Sequence, residues 1–275
     1  MLISQVHSLP PMPDTVPQLR RLLADPRSDF GEIIPLLQKD PGLCADLIRM
    51  ANSSLYGRSC LVDTLQDAVL TLGVVNLANI TAIQYSRKIL QAVFSRLVNL
   101  GDYFNHSAQV SLLAYLLSRA ASSNHHEHEV CRIGGLLHNI GRLVIVAVCE
   151  EWKAALGPIL WEERQSSLDV EKSLFGVNHC EIGMMICQKW KFPESLVEGI
   201  ARHHTPVENG NLCRIGAFIY LSELLVIDGL QTEWIVADFP EDSLASLGIN
   251  LAKMEEVRAA YQQHALFKNR VKVKG

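Results

Sequence analysis

The stretch GGLLHNIGRL, residues 134–143, sets His138 beside Asn139 at the end of an apolar run, just ahead of a glycine. Four more histidines and one glutamate stand at comparable places. His106 lies one turn into the helical pattern DYFNHSAQVSLLAYLLSR, and His179 opens NHCEIGMMICQKW. His203 and His204 close SLVEGIARHH just before Pro206, and Glu223 sits on RIGAFIYLSELL. Imidazole nitrogens and carboxylate oxygens hold divalent transition metals, and helix ends can aim several such groups at one point. The interior of a helix bundle is a common place for such a centre. The candidate ion is iron, zinc, nickel or manganese, since histidine-rich sites suit such ions better than magnesium.

A lone histidine on an apolar helix is usually an ordinary core or surface residue, so the argument rests on the combined order of the five. The cluster NHHEH at 124–128 is metal-like in composition but stands among small polar residues, and it is expected to be a solvated loop. His7 and His264 carry no signal. Other chemistries find no support: no G-x-S-x-G follows a strand pattern, and no glycine-rich phosphate loop is present.

The elements that must position these groups are helices. TVPQLRRLL and FGEIIPLLQKDPGLCADLIRMAN repeat apolar residues at spacings of three and four. Asp40 before Pro41 predicts a helix start. Thr64 three residues ahead of Asp67 resembles a capping box, and Gly57, Gly73 and Gly101 are expected to mark helix ends. No hairpin is indicated. The chain therefore reads as all-α. Residues 1–95 form an N-terminal helical subdomain, 96–227 a longer-helix subdomain with the histidine pocket, and 228–275 a C-terminal helical extension. No Ser/Gly/Pro linker separates them, so they are expected to pack together.

The 275 residues carry a formal charge of −4, with 48% hydrophobic and 20% charged residues. That is ordinary globular composition, long enough to bury a core, with no bulk electrostatic signal for nucleic acid. The basic end KNRVKVKG reads as a solvated tail. Seven scattered cysteines without a CxxC pair read as reduced thiols, several of them packed as small apolar groups. No secretory signal and no apolar run of membrane-spanning length are evident. A soluble cytoplasmic protein is the expectation.

LPPMPDTVPQLRRLLADPRSDFGEIIPLLQKDPGLCADLIRMANSSLYG, followed by DTLQDAVLTLGVVNLANI, resembles the start of an HDOD domain. LLHNIGRLVI and FGVNHCEIGMMICQKWKFPESLVEGIARHH are similar to its later part, and the resemblance covers about residues 5–230. HDOD domains are related to HD-type metal-dependent phosphohydrolases and to HD-GYP phosphodiesterases, but are regarded as output or scaffold modules of bacterial signalling, frequently with a decayed metal site. The resemblance implies an HD-like bundle preceded by a smaller helical bundle. It places His106 at the first histidine of the HD pattern, His138 and Asn139 at the His-Asp doublet, and Arg142 where relatives have a phosphate-contacting lysine. It places His179, His203 and His204 where HD-GYP relatives supply further ligands, and Glu223 at the closing aspartate.

Asn139 breaks the pattern. A carboxylate has two anionic oxygens and can bridge two ions, whereas an amide offers one neutral carbonyl oxygen. TPVENG after His204 also lacks the GYP signature. Two readings follow. One is a bacterial signal-transduction output or scaffold module of HDOD type, non-catalytic, with a modified metal pocket and signalling-protein partners. The other is a metal-dependent phosphohydrolase acting on a nucleotide or other phosphoester.

Overall fold

In a computed structural model the described residues are 2–25, 27–53, 61–94, 100–148, 166–227, 232, 235 and 239–263. The helices are α1 (Leu2–Ser8), α2 (Thr15–Ala24), α3 (Phe30–Gln38), α4 (Pro41–Ala51), α5 (Leu65–Leu72), α6 (Leu77–Phe94), α7 (Leu100–Ala121), α8 (His125–Leu137), α9 (Ile140–Val148), α10 (Ser166–Phe175), α11 (His179–Lys189), α12 (Glu194–Ala201), α13 (Arg214–Ile227), α14 (Glu241–Leu247) and α15 (Leu251–Gln263). The fold is all-α, with one minute sheet. Among the described residues no single helix is long and apolar enough to cross a membrane.

The chain divides into two compact units, residues 10–92 and residues 1–9 with 93–275. The smaller unit holds α2 to α5 and nearly all of α6. Its core is aliphatic, with Leu19, Leu37, Leu43, Leu47, Ala68, Val69 and Leu77 fully buried, each leucine contributing about 1.5–3 kcal/mol. Local chemistry sets the helix starts. The Asp40 carboxylate accepts from Leu43 N at 2.9 Å ahead of Pro41. Thr64 Oγ1 accepts from Asp67 N at 3.0 Å, while Asp67 receives the threonine hydroxyl rather than the backbone N–H of a full capping box. Asn52 clasps two chain segments, donating to Ile48 O and Val62 O and accepting from Val62 N.

The larger unit packs α7 against α8 and α13, and α11 against α9 and α12. Close approach needs glycine at two points. A Cβ on Gly135 would stand 2.7 Å from Ser111 Cα on α7, and one on Gly141 would stand 2.0 Å from His179 O at the head of α11. The Lys189 ammonium donates to Val6 O, His7 O and Leu9 O, and so caps the C-terminal end of α1. Tyr261, fully buried on α15, donates to Gln109 Oε1 on α7 at 2.9 Å.

Three expectations need correction. Residues 124–128 are not a loop: Asn124 Oδ1 accepts from His126 N and Glu127 N, which turns His125 onward into the first turn of α8 and buries His128. Gly101 lies in the first turn of α7 instead of ending a helix, and Gly73 does end α5, at φ 86°. A hairpin exists after all. Val207–Glu208 pairs antiparallel with Asn211–Leu212 across Asn209 and Gly210, both at positive φ, the two-residue turn that Asn-Gly favours. Its flanks are too short to show a strand pattern. Gly57, the basic tail and His264 lie outside the described residues.

The Gly141 contact yields a prediction. Gly141→Ala should lower the urea midpoint by the equivalent of about 1–3 kcal/mol at an unchanged slope, because the methyl meets backbone rather than a yielding side chain. An unchanged midpoint would show that α9 and α11 do not meet in this way.

Candidate metal centre

Each histidine in question is delivered by the start or end of a helix, save His106, which projects from the second turn of α7. His138 follows α8 directly, and its Nδ1 is 2.8 Å from Gly135 O, one turn back. His203 follows α12 and repeats the device, Nδ1 lying 2.7 Å from Ile200 O. His179 opens α11, where Asn178 and Glu181 form a reciprocal capping box. Its backbone N–H and its Nδ1 both reach Glu171 Oε2 on α10, at 2.7 and 2.8 Å. A carbonyl or carboxylate at Nδ1 makes that nitrogen the donor and leaves Nε2 as the lone-pair nitrogen.

The five rings form one chain of contacts. Centroids are 5.4 Å apart for His106–His138 and 5.3 Å for His138–His203. They are 5.3 Å for His179–His203, 5.1 Å for His179–His204 and 4.3 Å for His203–His204. Glu223 closes the group from α13, with Oε1 3.6 Å from His138 Nε2 and Oε2 3.8 Å from His204 Nε2. All are buried except His106, which is half-buried. Asn139 is fully buried beside them, its Nδ2 2.7 Å from His138 Nε2. Since that nitrogen is the acceptor, the amide group must face it as donor. Arg142 is buried with Nε 3.9 Å from Glu171 Oε1.

The electrostatics follow from exclusion of water. Burial pushes His179 and His203 well below their usual pKa, with Arg142 adding to the first and His204 to the second. Burial lowers His204 to about 3 against the opposing pull of Glu223. Burial pushes the Glu223 carboxyl up, but His204 and His138 together outweigh it and hold the group well below the ordinary carboxylate range. Glu171 is raised by burial, partly offset by Arg142. At neutral pH the interior therefore offers neutral imidazole lone pairs beside an ionised carboxylate, an arrangement complementary to a cation.

The side chains fit a transition metal on this structure's own terms. His203 Nε2 and His204 Nε2 are buried and make no hydrogen bond among the described residues, which is rare for polar atoms in native interiors. Candidate ligand atoms fall into two sets, each within 4.8 Å of one another: His179, Cys180, His203 and His204, and His106, His138 and Glu223. Such an ion would supply Lewis acidity and polarise a bound water or phosphate oxygen. The protein's own part is to fix the tautomers, exclude water and hold Glu223 ionised. Sequence reasoning missed two members. Glu171 was not singled out, and Cys180 was counted among the scattered thiols.

Two outcomes follow for the metal-stripped protein. Below about pH 6.5 the unfolded chain takes up protons that His179, His203 and His204 refuse in the fold, so stability falls on acidification by about 1.4 kcal/mol per pH unit for each of them, down to about pH 3 for His204. Glu223, depressed in the folded state, loses its contribution in the same direction below about pH 4.3. A urea midpoint unchanged from pH 7 to pH 5 would contradict burial of neutral rings. Glu171→Ala should cost about 1–3 kcal/mol by stranding His179 Nδ1 and weaken zinc binding by about 10–100-fold in a chelator competition.

Residues 9–206 match the HDOD domain. An uncharacterized protein of Treponema pallidum (strain Nichols) is 24% identical over 205 residues, which is 74% of this chain. The chain spans 39% of that relative's length. Among solved structures, a candidate phosphohydrolase from Shewanella amazonensis SB2B superposes with a TM-score of 0.73 at 24% identity, covering 95% of this chain and 94% of the other. An HDOD domain protein of unknown function from Geobacter sulfurreducens gives 0.69 at 21%, covering 95% of each. A candidate signal transduction protein from Marinobacter aquaeolei VT8 gives 0.66 at 22%, covering 92% of this chain and 58% of that one. These likenesses concern the fold, and with a match spanning most of its length the chain belongs to the HDOD domain family.

Proposed function

We propose that the protein is a non-catalytic output or scaffold module of bacterial signal transduction, working in the cytoplasm through protein partners and built around a modified metal pocket. One observation carries the reading. Asn139 stands in the pocket as an amide that donates to His138 Nε2, where a hydrolytic HD centre needs a carboxylate able to bridge ions and help ionise water. His106, His138, Asn139, His179, His203, His204 and Glu223 surround that pocket, with residues 96–227 as its subdomain, 1–95 as the N-terminal subdomain and 228–275 as an extension. The Marinobacter protein, described as a candidate signal transducer, is in keeping with this role.

The second reading, a metal-dependent phosphohydrolase for a nucleotide or other phosphoester, draws on five imidazoles and Glu223 gathered in one cluster and on the candidate phosphohydrolase from Shewanella. In that reading Arg142 would meet phosphate, but its neighbour in the structure is Glu171.

Hydrolysis of bis-p-nitrophenyl phosphate and p-nitrophenyl phosphate separates the two. With manganese, iron or zinc added, the wild-type rate should match that of His138→Ala. Metal-dependent turnover that disappears in His138→Ala would replace the scaffold reading by the hydrolase.

A further inference from the structure

Cys180 is the donor that the order of histidines did not point to, and its surroundings differ from those of other buried thiols. Cys131 and Cys187 are buried as well, yet among the described residues neither joins a set of metal-ligating groups. Cys180 Sγ lies 3.5 Å from His179 Nε2 and 3.7 Å from His203 Nδ1. One ligand atom from each of His179, Cys180, His203 and His204 falls within 4.8 Å of the others, and all four side chains are buried. Independently, the Nε2 atoms of His203 and His204 are enclosed without a hydrogen bond among the described residues, as expected of lone pairs waiting for a ligand. The neighbouring set of His106, His138 and Glu223 offers only nitrogen and oxygen.

We propose that His179, Cys180, His203 and His204 form a closed, thiolate-containing site for a zinc-type ion, chemically distinct from the His106–His138–Glu223 set beside it. The proposal rests on the reading of the cluster as a metal pocket and adds the ligand that sets metal preference. On binding, the divalent ion displaces the Cys180 thiol proton to solvent, the sulfur lone pair forms the metal–sulfur bond, and the three imidazoles donate as neutral ligands. A sulfur ligand favours zinc or cobalt over manganese or magnesium. Four protein ligands leave no open position for an activated water, the mark of a structural site as opposed to a hydrolytic one.

Cobalt chloride titrated into the chelator-stripped 275-residue chain tests the assignment. Wild type should take up cobalt with tetrahedral d–d bands and a thiolate-to-cobalt band in the near ultraviolet. Cys180→Ser should lose the near-ultraviolet band and bind cobalt about tenfold or more weakly, while Cys187→Ser keeps both. If Cys180→Ser does not fold, zinc-edge X-ray absorption on the wild type should find one sulfur bound to the ion. Cobalt bound without a thiolate band, a band that persists in Cys180→Ser, or a zinc shell of nitrogen and oxygen alone would overturn the thiolate site and leave the metal pocket standing. Failure to retain either ion would overturn both.

Discussion

An imidazole can be buried only if the proton on one ring nitrogen has somewhere to go. In this protein three rings meet that condition at Nδ1: His138 at Gly135 O, His203 at Ile200 O and His179 at Glu171. Two of these partners are carbonyls at the ends of the helices that deliver the histidines, so the helix terminus both places the ring and fixes its tautomer. With the δ nitrogen committed, the ε nitrogen remains as the lone pair. The pocket's store of neutral donor nitrogens and its sensitivity to acid both follow from that arrangement.

The helices must end in the right places for this to work, and glycine governs the spacing. Gly141 lets the head of α9 rest on the carbonyl of His179, and Gly135 lets α8 lie against the backbone of α7. The pocket is thus assembled by backbone contacts, with side chains filling the space between. Asn139 occupies a position where an acid would add a second fixed negative charge beside Glu223. The amide keeps the hydrogen bond to His138 and removes the charge, which preserves the architecture of an HD-like centre while changing its electrostatics.

Much of this was legible in the residues. Helical period and the Asp40–Pro41 start follow from patterns local to a turn or two, whereas His106, His138, His179, His203, His204 and Glu223 were singled out by their order along the chain and by the family resemblance that this order carries. Glu171 was not legible, because its contact with His179 spans a change of element and an exposed-looking polar face gives no sign of it. Cys180 was hidden by the opposite fault: a thiol beside a histidine is indistinguishable from a core filler until His203 and His204 arrive from another helix. The NHHEH segment misled because its polar composition suits a loop and a helix's first turn equally, and the cap by Asn124 decides between them.

The cap that Lys189 places on α1 has a consequence for synthesis. Its acceptors lie 180 to 183 residues upstream, so the first helix leaves the ribosome long before the group that closes it exists. At about 5–20 residues per second, the wait is roughly 10 to 40 s. During that interval residues 10–92, whose core is made from their own side chains, can condense on their own. Closure of α1 by this lysine is therefore a late event of synthesis, set by the length of chain that separates the ammonium from its acceptors.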